Sequence, residues 1–183
     1  EVLLGLGRSF AGLQMHSRAE QAFRAALTQA PGNRDALYGL GKSLYHQDRL
    51  PEAEAAFRQT LQADPKFLPA YSALGASLDR QSKHKEAQQA YQDGLALDPT
   101  NLALLNNLGL SLALSGDYQR SIALLKELVN DPHATPRIRQ NLALAYGLSG
   151  NFEAAAAIAA IDLPEGQVAG NVDFYRMAME SLR

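Results

Sequence analysis

Apolar residues recur along the chain at helical spacing, with a glycine inside each group. Leu37, Leu40, Gly41 and Leu44 fall at i, i+3, i+4 and i+7, one stripe of an α-helix. Tyr71, Leu74, Gly75 and Leu78 repeat it, as do Leu105, Leu108, Gly109 and Leu112. A second stripe follows in each stretch, as in Ala53, Phe57 and Leu61, and its ring needs a small partner opposite it. Glycine within a helix costs about 1 kcal/mol relative to alanine. Glycines held at one register therefore imply close helix–helix approach. Turn residues separate the stripes at Asp48-Arg49-Leu50-Pro51, Gly116-Asp117 and Gly150-Asn151. Stops and caps follow at Pro31-Gly32-Asn33, Asp64-Pro65, Asp98-Pro99-Thr100-Asn101 and Thr135-Pro136. The spacing predicts helix pairs over 2–14/17–29, 35–47/51–62, 68–81/84–96, 102–115/118–130 and 136–149/152–161. One more helix is expected at about 171–182, after Leu163-Pro164-Glu165-Gly166.

These elements repeat with a step of 34 residues. Gly7, Gly41, Gly75, Gly109 and Ala143 form one series, and Ala19, Ala53, Ala87, Ser121 and Ala155 a second. Phe23, Phe57, Tyr91, Leu125 and Ala159 form a third, and Leu27, Leu61, Leu95, Val129 and Leu163 a fourth. Pro31, Pro65 and Pro99 keep the step before it slips to Pro132. A period of this length on these residue types resembles the tetratricopeptide repeat. The resemblance implies an all-α solenoid, a right-handed superhelix of about five helix–turn–helix copies. One domain would span 1–183, with copies at about 1–33, 34–67, 68–101, 102–135 and 136–166 and the last helix as a cap. The fifth copy departs from the pattern, with Arg139 where the others have Leu or Tyr and Ala159 where the ring should be. Phe174, Met177 and Ala178 imitate the start of a sixth copy.

Composition narrows the function classes. The chain has 183 residues, 46% of them hydrophobic and 20% charged, as in an ordinary globular protein. Its net charge of −2 argues against a nucleic-acid partner, which selects a basic face. No apolar run reaches the roughly 20 residues of a membrane span. Cysteine is absent, so disulfides, thiolate metal sites and a cysteine nucleophile are excluded. Glu1-Val2-Leu3-Leu4-Gly5 already reads as helix interior, so any targeting segment would lie upstream.

No enzyme motif is complete. Gly41-Lys42-Ser43 matches the tail of a phosphate-binding loop, but Ala36 stands where the upstream glycine is required and the tripeptide lies mid-helix. Gly5-Leu6-Gly7 lacks the third glycine and a preceding strand. His16, His46, His84 and His133 are scattered without an i, i+4 pair and read as surface residues. Neither a catalytic group, a cofactor nor a metal is expected.

Function is therefore expected on a surface. In stacked helix pairs the first helices line the concave side. Groove positions lie three before, two before, one after and four after the small residue. They give Leu4, Gly5, Arg8 and Ala11, then Tyr38, Gly39, Lys42 and Tyr45. The third copy gives Ser72, Ala73, Ala76 and Asp79, the fourth Asn106, Asn107, Leu110 and Ala113, the fifth Gln140, Asn141, Leu144 and Gly147. The N-terminal part thus offers Tyr38, Lys42 and Tyr45. The C-terminal part offers the amides Asn106, Asn107, Gln140 and Asn141 beside an apolar strip of Leu110, Leu114, Leu144 and Leu148. An amide both donates and accepts, so it can hold an extended peptide backbone, and Asn107 and Asn141 share one register. The same amides could instead bridge neighbouring helices. The strip could take a partner helix or lie under the chain's own last helix, and Tyr38 and Tyr45 could be packed in place of binding. The expected partner is a protein or peptide segment.

Co-chaperones of this repeat class clamp a C-terminal carboxylate with lysines, asparagines and an arginine from three first helices. Around Asn107 the neighbouring copies supply Ser72, Ala76, Arg137 and Asn141, so the clamp is incomplete and heat-shock-protein binding is not expected. Over 101–183 the chain resembles the TadD-type proteins of Flp/Tad pilus assembly. The likeness is carried by Leu105-Asn106-Asn107-Leu108-Gly109-Leu110-Ser111-Leu112, by Arg139 to Leu148, by Gly150-Asn151-Phe152-Glu153-Ala154-Ala155 and by Asp162-Leu163-Pro164 before a terminal helix. That resemblance implies a pilotin-like lipoprotein of the bacterial periplasm, anchored at the outer membrane by an upstream lipid-bearing cysteine and acting on the pilus secretin and other pilus-assembly components. The alternative is a cytosolic adaptor, or the repeat arm of a larger enzyme.

Overall fold

A computed structural model describes residues 1–181. Among them are eleven helices and no strand. They are α1 (Val2–Gly12), α2 (His16–Gln29), α3 (Arg34–His46), α4 (Leu50–Ala63), α5 (Leu68–Arg80), α6 (His84–Leu97), α7 (Leu102–Leu114), α8 (Tyr118–Val129), α9 (Pro136–Leu148), α10 (Phe152–Ala159) and α11 (Glu165–Ser181). The five expected helix pairs are present to within two residues at each end. The helices form two compact units, Glu1–Pro99 with α1–α6 and Thr100–Arg183 with α7–α11.

Local chemistry sets the breaks between helices. Within every copy the turn places one residue in the left-handed region: Gln14 (φ 58), Asp48 (φ 62), Ser82 (φ 59), Gly116 (φ 86) and Gly150 (φ 87). The next amide then returns to the carbonyl five residues back, as in Arg49 N to Leu44 O at 3.0 Å and Asp117 N to Leu112 O at 2.9 Å. This is the Schellman closure of a helix C-terminus. Between copies, Ala30, Asp64 and Asp98 precede prolines and are held extended, at φ −142, −146 and −143. Asn33 and Asn101 then cap α3 and α7 through their side chains.

In the first unit the ring series fills the glycine series. A Cβ built on Gly7 would lie 2.6 Å from the Phe23 ring, and one on Gly41 2.5 Å from Phe57. Gly75 faces Tyr91 in the same way. All three rings are at most 2% exposed. The Tyr91 hydroxyl donates to Asp79 at 3.0 Å, and the other oxygen of Asp79 lies 2.9 Å from His84 Nδ1. The polar atom that tyrosine adds to this core is thereby satisfied.

Neighbouring copies of this unit are joined by a polar staple that itself repeats. Glu20 Oε2 accepts from Gln47 at 2.9 Å and Arg49 at 2.7 Å, and Oε1 accepts from Arg24 at 2.9 Å. One period later Glu54 accepts from Gln81 at 3.1 Å, Lys83 at 3.0 Å and Arg58 at 3.0 Å. Burial acts to raise the carboxyl pKa of Glu20 and Glu54, but the bonds from these donors outweigh it and hold both below the usual range.

The second unit is assembled differently. Leu125 replaces the ring beside Gly109, with a built Cβ 2.7 Å from it, and Ser121 Oγ donates to the Gly109 carbonyl at 2.7 Å. In the fifth copy Ala143 gains the methyl that glycine lacks while Ala159 gives up the ring, and the two cluster with Val168 of α11. Arg139, which replaces an apolar residue of the stripe, forms two 2.7 Å bonds to Asp162. Leu125, Leu128, Ile138 and Leu142 form the core between α8 and α9, with Ile122 and Tyr146 packed against it.

The last helix differs from expectation at its start, which is Glu165 instead of 171. The Pro164 carbonyl accepts from the amides of Gln167 and Val168, so the first turn forms there. Gly166 and Gly170 are tolerated inside the helix, with open space where a Cβ would be. Residue 182 of the expected range lies outside the described residues. The residues that pack α11 are Val168 and Tyr175, which lies against Gly147; Phe174 and Met177 are exposed.

Candidate functional site

The groove positions of the first unit border a cavity of about 430 Å³ between α1, α2 and α3, with Phe67 at its edge. Phe23 lines its floor, and Tyr38 and Lys42 project from successive turns of α3. Tyr38 is half-buried, with its ring edge-on to Phe67 at 5.0 Å and 85° and tilted against Phe57 at 5.9 Å. Burial raises its phenol pKa. The Lys42 ammonium is exposed, 5.8 Å above the Tyr38 ring, and makes no ion pair among the described residues. Phe67 stands at the register where Asn33 and Asn101 cap their helices. It gives up the cap of α5 and becomes a wall covered by the Arg34 guanidinium at 4.5 Å.

Charges around the cavity are largely committed. Arg8 pairs with Asp35, which also accepts from Arg34 Nε at 2.9 Å and Nη2 at 2.7 Å, while Arg34 Nη1 reaches Asp64 at 2.9 Å. His16 and His46 also border the cavity and stack at 4.6 Å and 14°, with His16 Nδ1 buried and unbonded. Partial burial, then His16, Lys42 and Arg80, push the His46 pKa down. Of the four histidines read as surface residues, these two form one stack, His84 holds Asp79, and His133 lies exposed beside Asp131. Tyr45 does not line the cavity: the Arg80 guanidinium lies 4.8 Å from its ring. Gly41-Lys42-Ser43 lies inside α3, with its glycine against Phe57, so it forms no phosphate loop.

The groove positions of the second unit are more closed. Asn141 Nδ2 donates to Asn106 Oδ1 at 2.8 Å, and both residues are buried. The pair bridges α7 and α9. Asn141 therefore belongs to helix packing, and its partner is Asn106 of the adjacent register, not Asn107 of its own. Asn107 is half-buried and Gln140 exposed. In the strip, Leu110, Leu144 and Leu148 are half-buried and Leu114 is exposed. Tyr175 rests on Gly147, so α11 occupies part of the α9 groove register.

The structure thus brings Tyr38 and Lys42 together with Arg8, and adds His16, His46 and Phe67, which the groove rule omits. One signal stands in the sequence, where Phe67 breaks the asparagine cap series. The meeting of His16 and His46, 30 residues apart, is set by the contact between copies, like that of Glu20 and Gln47. Among the described residues no group of three metal-ligating side chains gathers, and no helix is long and apolar enough to cross a membrane.

The tetratricopeptide repeat family matches residues 4–66 and 72–137, and the chain belongs to that family. Such proteins are generally non-catalytic scaffolds that bind proteins or peptides. The fold is similar to that of TTC0263, a thermophilic protein of the same repeat class from Thermus thermophilus, at TM-score 0.74 and 24% identity over 96% of this chain and 97% of that one. It is also similar to MamA, at 0.72 and 20% over 94% and 97%. YrrB, described as a tetratricopeptide protein with an unusual peptide-binding site, superposes at 0.73 with 18% identity over 93% and 90%. No curated protein matches the sequence.

Proposed function

We propose that the protein is a non-catalytic scaffold that holds a segment of a larger protein against the first helices of its copies. One observation carries this reading: the cavity beside α3, where Tyr38, Lys42 and Phe67 present aromatic and cationic groups. Such a segment orders on docking, so the affinity is on the order of micromolar. The resemblance of 101–183 to TadD-type proteins supports a finer reading. The partner is then the pilus secretin or another pilus-assembly component, and the protein works in the bacterial envelope, held at the outer membrane by an upstream lipid anchor. In the second unit Gln140 and Leu114 are the exposed groove groups that such a partner would meet.

Fluorescence anisotropy with a labelled peptide carrying the secretin's C-terminal tail tests this. The expected result is saturable binding, weakened at least tenfold by Lys42→Glu in the first unit or by Gln140→Ala in the second. No binding by the tail removes the secretin reading. A genomic sequence that places a catalytic domain upstream, with no lipid-modified cysteine, removes the envelope scaffold.

A further inference from the structure

We infer that the first unit's cavity selects an acidic peptide, seating an Asp or Glu side chain on Lys42 and the apolar residue next to it on Tyr38 and Phe67. The inference rests on the peptide-binding reading above and names the chemistry of the segment. Asp35, the carboxylate that lines the cavity, is already engaged by Arg8 of the lining and by Arg34 behind it. Arg34 also holds Asp64, so of the two lining cations Arg8 is paired and Lys42 carries the excess.

The surroundings agree on the sign of that charge. His46 is faced by His16 of α2, by Lys42 on its own helix and by Arg80 of α5, and all three disfavour its proton. An anion entering here meets cations and imidazoles without displacing an existing ion pair. The apolar half of the site is equally defined. Phe23 is 2% exposed and locked between Gly7 and Gly39. Tyr38 and Phe67 hold each other edge-on, so the wall is preorganised and costs little entropy to use. A free phosphate would use the cations and leave this wall bare. A carboxylate beside a leucine or phenylalanine uses both.

The test compares three labelled peptides of equal length by anisotropy at low salt. One carries Glu-Phe pairs, one Gln-Phe and one Glu-Ser. The expected result is micromolar binding of the Glu-Phe peptide, at least tenfold weaker binding of the other two, and loss of its preference over Gln-Phe in Lys42→Glu. Lys42→Gln should fall between, and circular dichroism checks that both variants are folded. Equal binding of Glu-Phe and Gln-Phe peptides, unchanged in Lys42→Glu, overturns the acidic selection while leaving a peptide scaffold standing. Displacement of the Glu-Phe peptide by equimolar inorganic phosphate overturns the aromatic half. Failure of all three peptides, with the secretin tail still bound, also overturns the inference but not the function proposed above.

Discussion

The two units use one register for opposite purposes. In the first, the residue after the left-handed turn residue is Met15, Arg49 or Lys83, and the latter two reach back to Glu20 and Glu54 of the preceding copy. In the second it is Asp117 or Asn151, and each caps its own helix, accepting from Arg120 N and Ala154 N. The carboxylate series changes in step: Glu20 and Glu54 give way to Gln88 and then Ile122, which lies in the apolar α8–α9 contact. The first unit therefore joins its copies by ionic bonds and leaves its helices without side-chain caps at α4 and α6. The second unit caps α8 and α10 and joins its copies by apolar packing and one asparagine pair. The same backbone repeat accepts either solution, because both satisfy the polar groups at the joint.

The largest effect expected is at the glycines. Gly75→Leu drives a side chain into the rigid Tyr91 ring and costs about 3 kcal/mol, whereas Gly109→Leu meets Leu125, which can change rotamer, and costs about 1–2 kcal/mol. Urea unfolding measures both, and equal losses would erase this difference between the units. Next, Ile122→Glu brings the first unit's carboxylate into an apolar joint without its donors, at about 2 kcal/mol. Adding Ser149→Gln and Asn151→Arg supplies the missing donors and should recover about half of that loss. No recovery would show that the staple is not portable.

Asn141→Ala leaves the buried Asn106 oxygen without its donor, at about 1–2 kcal/mol, while Asn106→Leu with Asn141→Leu is close to neutral. Thermal melts of the single and double variants separate these outcomes. Acid should weaken the first unit in two steps. The folded pKa of His46 is depressed, so its contribution is present above pH ~6.5 and declines as pH falls below it. Glu20 and Glu54 are depressed below ~4.5, so theirs is lost as pH falls beneath that value. In a pH series of melts, His46→Phe should flatten the upper step and Glu20→Gln with Glu54→Gln the lower one. The smallest effect lies in the turns. Ser82→Gly relieves a left-handed residue and stabilises by about 0.5 kcal/mol, and Gly116→Ala costs about 1 kcal/mol.

The repeat, the helix pairs and the pairing of glycine with ring were legible in the sequence, because each follows from periodicities within one copy. The turn geometry follows too, since the residue before Arg49, Lys83 and Asp117 has the same backbone task whether it is Asp, Ser or Gly. The family's period could also mark which helix face is open, and Tyr38 and Lys42 do meet at one cavity. What the sequence did not determine lies between copies. That Glu20 meets Gln47, that His16 stacks on His46, and that Asn141 turns to Asn106 depend on the angle at which one helix pair rests on the next. The early start of α11 belongs with them: Pro164 and Gly166 read locally as a break, yet Val168 and Tyr175 find a surface on α9 and α10 that favours a continuous helix. Local spacing specified the parts, and burial at the joints decided which side chains remain for a partner.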